Sequence, residues 1–173
     1  MKKLDYNIFL IGFMGAGKST IAERLHTKYS MEVLEMDQVI EEQEQMPISQ
    51  IFEERGEEYF RKLETDLLLK LKEKRNLVIS CGGGTPLRIC NVEAMRESGK
   101  IVFLTASPET VFERVRDSHN RPVIEGNKNV PFIASLMEQR REKYEAAADF
   151  LVATDGKSAE KICQEIMQLL DNN

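Results

Sequence analysis

At 173 residues, 42% hydrophobic and 31% charged, the chain is long enough to bury a full core and has the composition of an ordered globular protein, which excludes fibrous and disordered classes. A net charge of −5 argues against a broad nucleic-acid surface, which needs clustered excess cations, but leaves room for a small anionic ligand held by a few arginines. The N-terminal residues carry no apolar stretch of signal or membrane-span length. Cys81, Cys90 and Cys163, with no C-x-x-C pair, read as free thiols filling buried space in a reducing compartment, so the expectation is a cytoplasmic protein without membrane or nucleic-acid partners.

The first predicted element is a short apolar strand at 8–11, of the kind buried in a parallel sheet. It runs directly into Gly12-Phe-Met-Gly-Ala-Gly-Lys18-Ser19-Thr20, which fits G-x-x-x-x-G-K-[ST]. A helix is predicted over 18–29, with Ile21 and Leu25 four apart on one face. Strand, glycine-rich turn and helix are the context in which this motif holds a nucleotide. The turn points backbone N–H groups into one concavity, and the helix adds its positive end. Lys18 then reaches the β- and γ-phosphates, and the Ser19 hydroxyl is a ligand for Mg²⁺.

A second strand is expected at 33–36, closed by Asp37 with Glu35 two residues earlier, and a helix at 38–44. Asp37 is placed either to orient or deprotonate an attacking hydroxyl, or to hold Mg²⁺ through water, or simply to cap that helix. Helical periodicity over 48–74 is interrupted at Gly56, so two helices are expected, with Leu67, Leu68, Leu69 and Leu71 facing the core. A third strand at 77–81 precedes Gly82-Gly83-Gly84, whose bare backbone lets a ligand approach closely. A helix at about 91–98 and a strand at 101–104 follow. Ser107 before Pro108 marks the start of a helix over 108–116. The polar segment 117–129, with Arg121-Pro122 and Gly126, resists regular structure and reads as a lid over about 116–130. A helix at 131–148, a strand at 150–153 and a helix at 158–170 complete the chain.

Strands alternating with helices predict a single α/β domain spanning 1–173: three layers, with a central five-stranded parallel sheet and helices on both faces. Right-handed crossovers bring the strand C-termini to one edge, so the phosphate loop, Asp37 and the triple glycine share a rim. Arg61, Arg121 and Arg140 carry forks suited to carboxylate or phosphate, although their spacing does not show that they converge. Long coiled-coil heptads are absent, which favours a monomer.

With these motifs assembled, the chain resembles shikimate kinases from the phosphate loop to the last helix. The likeness rests on the loop, Asp37, Phe60-Arg61-x-x-Glu64, Gly82-Gly83-Gly84, Arg121-Pro122 and the pair Arg140 and Tyr144. The resemblance implies a P-loop kinase fold with substrate-binding helices at about 37–64, and transfer of the ATP γ-phosphoryl group to the 3-hydroxyl of shikimate, in aromatic amino-acid biosynthesis. It implies that Gly12, Met14, Gly15, Ala16, Gly17, Lys18, Ser19 and Thr20 bind ATP, with Arg114 against the adenine and Arg121 on the transferring phosphate. Lys18, Asp37 and Arg121 would be the catalytic set. Asp37, Arg61, Arg140 and the backbone of Gly82, Gly83 and Gly84 would bind shikimate, with Glu64 orienting Arg61. The family's Asp-x-Asp stands here as Glu35-Met36-Asp37, which lengthens the outer carboxylate that would approach Mg²⁺ through water. Kinases for gluconate or a nucleoside monophosphate share the loop chemistry, and a nucleotide-binding module without transfer is a further class. The arginine and glycine set counts against the first. Arg121 counts against the second, since a pure binder has no use for it.

Overall fold

Alternate residues of the first strand, β1 (Asn7–Ile11), point to opposite faces of the sheet, and all five are buried. Ile8 and Leu10 pack on one side, with residues of α1 (Lys18–Tyr29) and α8 (Ala159–Asp171). Phe9 and Ile11 pack on the other, under the helices that follow the second strand. A strand apolar on both faces belongs inside a parallel sheet, and that is its place in this computed structural model, which describes residues 3–118 and 123–173.

The remaining elements are β2 (Glu32–Glu35), α2 (Met36–Glu44), α3 (Ile48–Arg55), α4 (Glu57–Leu71), β3 (Leu77–Ser80), a 3₁₀ turn (Thr85–Leu87), α5 (Ile89–Ser98), β4 (Gly99–Thr105), α6 (Pro108–Val115), α7 (Val130–Ala147) and β5 (Phe150–Ala153). The strands are ordered β2-β3-β1-β4-β5 and every pairing is parallel. The chain leaves β1 towards one edge and later crosses to the other, so β1 stands at the reversal point, where such sheets bind ligands beyond the strand C-termini.

Local signals account for most boundaries. Gly56 separates α3 from α4, with a φ of 86° that ends the first helix cheaply. The side chains of Ser107, Asn129 and Ser158 accept hydrogen bonds from the first-turn N–H groups of α6, α7 and α8. Three expectations need correction. The helix after β2 begins at Met36, so Asp37 lies inside its first turn and is not its cap. Leu69 is 50% exposed while Leu67, Leu68 and Leu71 are buried, because four apolar residues among five cannot share one helical face. Cys90 is exposed at the start of α5, unlike Cys81 and Cys163. Among the described residues no helix is long and apolar enough to cross a membrane.

Candidate active site

The phosphate loop joins β1 to α1. Gly12 has a φ of 154°, and a Cβ there would stand 2.6 Å from the Leu104 carbonyl of the neighbouring strand, so only glycine fits. Gly17, in the left-handed region at 100°, opens α1 without a side-chain cap, which leaves the first-turn amides for an anion. Met14, Gly15 and Ala16 form the turn, closed by Ala16 N–H donating to Phe13 O at 3.0 Å. Lys18 Nζ folds back over the loop and donates to Gly12 O (2.7 Å) and Phe13 O (3.1 Å). Ser19 and Thr20 follow on an exposed surface. Arg114, from α6, donates to Gly15 O at 2.8 Å, so the structure brings it against the loop.

Beside the loop is a cavity of about 220 Å³ that Met14, Asp37, Arg61, Gly82, Gly83, Gly84 and Arg140 all line. Five elements or their loops supply these residues, and their convergence is what spacing could not show. Half-buried Asp37 aims at Gly82: a Cβ there would lie 3.1 Å from Asp37 Oδ1 and 2.9 Å from Glu64 Oε2. Apolar walls come from Ile48, Phe52, Phe60 and Val123. Arg121 and Pro122 lie outside the described residues. Just after them, Val123 lines the cavity while Ile124 is fully buried, so this end of the segment between α6 and α7 is anchored in the core.

Arg61 is fixed by a network that the sequence only partly revealed. Its Nη1 donates to Glu64 Oε1 at 2.6 Å, and Glu57 accepts from its Nη2 at 3.2 Å. Burial disfavours the charged guanidinium, but Glu64, then Glu57, outweigh it and hold its pKa above the ordinary value. Thr85 Oγ1 donates to the other Glu64 oxygen at 2.5 Å. Asn91 Nδ2 donates to Thr85 O at 2.9 Å, and Thr65 Oγ1 to Asn91 Oδ1 at 2.7 Å. Glu64, Thr85 and Asn91 are fully buried, and such groups are tolerated only when hydrogen-bonded. Sequence reasoning identified Arg61 and Glu64 but missed Thr85 and Asn91. Thr85's position directly after the triple glycine was the one signal available.

Arg140 stands across the cavity, half-buried. Its guanidinium carbon is 5.6 Å from the Phe13 ring centroid and its Nη1 is 3.3 Å from the place of a Cβ on Gly83. Glu35 ends β2 and its side chain makes no cap bond to α2. The Cys81 thiol, behind the glycines, is pushed well above its ordinary pKa by burial and is therefore unreactive.

The loop, with its lysine at the reversal point of a parallel sheet, defines a P-loop nucleotide-binding protein. The chain matches the shikimate kinase family over residues 14–171. It is 40% identical over 161 residues to a shikimate kinase of Persephonella marina, covering 93% of this chain and 96% of the relative. The shikimate kinase of Acinetobacter baumannii, solved in complex with shikimate, is 32% identical with a TM-score of 0.91, over 97% of this chain and 94% of that one. That of Aquifex aeolicus is 38% identical with a TM-score of 0.83, over 96% and 97%. This chain belongs to the shikimate kinase family.

Proposed function

We propose that this protein transfers the γ-phosphoryl group of ATP to the 3-hydroxyl of shikimate, giving shikimate 3-phosphate and ADP. The observation behind this reading is the cavity next to the phosphate loop: among the described residues Arg61, Arg140, Asp37 and a glycine backbone face it, and its two other carboxylates, Glu64 and Glu41, are engaged by Arg61 and by the Ile48 N–H. A ligand with one carboxylate and three hydroxyls matches that set. Arg61 and Arg140 clamp the carboxylate, Asp37 accepts from the hydroxyls, and Gly82, Gly83 and Gly84 present backbone groups without side chains.

In the transfer, the hydroxyl oxygen bonds to the γ-phosphorus as the bond to the ADP oxygen breaks. Asp37 orients the attacking hydroxyl and takes up its proton. Lys18 leaves the loop carbonyls for the phosphate oxygens, and Arg121 neutralises the charge that develops there. The remaining loop residues bind ATP, with Arg114 against the adenine. The donors fit Mg²⁺: Ser19 would supply a hydroxyl at the start of α1, and Asp37, with Glu35, would supply carboxylate oxygens through water. Such an ion neutralises phosphate charge. Ile124 in the core ties down one end of a lid that excludes water during transfer.

The test is ADP release with Mg-ATP and each of shikimate, quinate, gluconate and nucleoside monophosphates. Stimulation by shikimate alone supports the proposal. Stimulation only by another acceptor keeps the kinase and removes the substrate, and nucleotide binding without turnover on any acceptor removes the transfer reaction.

A further inference from the structure

Tyr144 lies on α7, one turn beyond Arg140, and its side chain is 2% exposed. Its Oη donates to the Gly83 carbonyl at 2.6 Å. The same oxygen is the acceptor for Arg140 Nη1 at 3.5 Å. The ring is held edge-on to Phe103 of β4, with centroids 5.2 Å apart at 61°. The hydroxyl thus sits between a backbone carbonyl of the glycine floor and one of the two guanidinium groups that face the cavity. A buried tyrosine normally finds some partner, and any carbonyl would serve. This one uses its proton on the glycine loop and its lone pairs on the arginine, so a single hydroxyl bridges the two. Burial raises the phenol's pKa, Arg140 opposing, and the group remains a donor at neutral pH.

We propose that Tyr144 is a positioning residue for acceptor binding: its hydroxyl sets the Gly83 peptide and the Arg140 guanidinium in register with each other. This rests on the reading of the cavity as the shikimate site. Without the hydroxyl, Gly83 O loses its donor and Arg140 keeps, among the described residues, its seat over Phe13. The acceptor should then bind more weakly, while the nucleotide, held by the opposite side of the loop, is unaffected.

The experiment uses the full chain with Tyr144→Phe, Arg140→Ala, the double variant and Phe103→Leu, the last loosening the aromatic pair with the hydroxyl retained. Shikimate and ATP KM, kcat, calorimetric shikimate Kd and the thermal midpoint are measured for each. Tyr144→Phe should raise shikimate KM and Kd about 5–10-fold, as for one lost hydrogen bond of ordinary strength, with ATP KM and kcat within about 2–3-fold. Because both residues act through one arrangement, the double variant should exceed Arg140→Ala by less than about 2-fold. Phe103→Leu should lower the thermal midpoint and leave shikimate KM unchanged. If Arg140→Ala raises shikimate KM and Tyr144→Phe does not, the proposal is wrong and the site reading stands. Multiplying effects, or an equal KM rise in Phe103→Leu, reduce Tyr144 to packing. If Arg140→Ala itself spares shikimate KM, the site reading fails and takes this proposal with it.

Discussion

Single residues carry the chemistry through a few polar atoms held at fixed places. Lys18 lies over its loop by donating to Gly12 O and Phe13 O, carbonyls that it can exchange for phosphate oxygens. Lys18→Ala should therefore lower kcat by more than about 10²-fold with the thermal midpoint nearly unchanged, and near-wild-type turnover would overturn its role. Glu35 and Asp37 are two residues apart, yet only Asp37 lines the cavity. Asp37→Asn should cost more in kcat than Glu35→Gln, and steady-state rates in the reverse order would mean that the two roles are exchanged. The loop residues were legible in the sequence because they are consecutive. Tyr144 was legible only as a neighbour of Arg140 at i+4, since its carbonyl partner is 61 residues away.

At the scale of elements, the cavity depends on α4 meeting the turn after β3. Gly84 is buried against Arg61, and an added Cβ would collide with the guanidinium. Gly84→Ala should thus destabilise by about 1–3 kcal/mol through overpacking and raise shikimate KM as Arg61 is pushed aside; denaturant melts and kinetics check both. The loop after β5 is latched to α6: Asp155 Oδ1 accepts from Ser107 N at 3.0 Å and from Thr110 Oγ1 at 2.7 Å. The Ser107 backbone bond, then the Thr110 hydroxyl, hold the Asp155 carboxyl below its ordinary pKa of 3.8. A depressed folded pKa means stability that is present above 3.8 and lost as pH falls through the folded value. The gap in thermal midpoint between wild type and Asp155→Ala should therefore hold at pH values above 3.8 and narrow as pH falls below it; a gap that does not narrow in acid would mean that the carboxylate charge is not what fastens the loop. Ser107 and Asp155 are 48 residues apart, so no local spacing reveals this latch.

At the scale of the whole molecule, the sheet divides the protein into two unlike halves. One face, with α1 and α8, is a plain apolar layer around Ile8, Leu10, Val102 and Ile166. The other carries α2 to α7, of which α2, α3, α4 and α7 supply residues that line the cavity. Ile166 is fully buried in the plain layer, so Ile166→Ala should cost about 2–5 kcal/mol in urea unfolding and leave both KM values unchanged wherever the variant is folded. A shift in shikimate KM would show that the two faces are coupled through the sheet.

The sequence alone determined the α/β alternation, the five strands to within one or two residues, the break at Gly56 and the phosphate loop. Each is set by interactions between near neighbours: apolar periodicity, glycine's left-handed freedom, and caps such as Ser107 and Ser158. Its motifs also pointed to the family, because that likeness lies in residue identities and their order. Only the tertiary structure decided that Arg61 and Arg140, 79 residues apart, face one cavity, that Thr85 completes the Glu64 pair, and that Tyr144 bonds to Gly83. Those contacts join segments distant in the chain, and their geometry follows from strand order and helix packing, which no local spacing encodes.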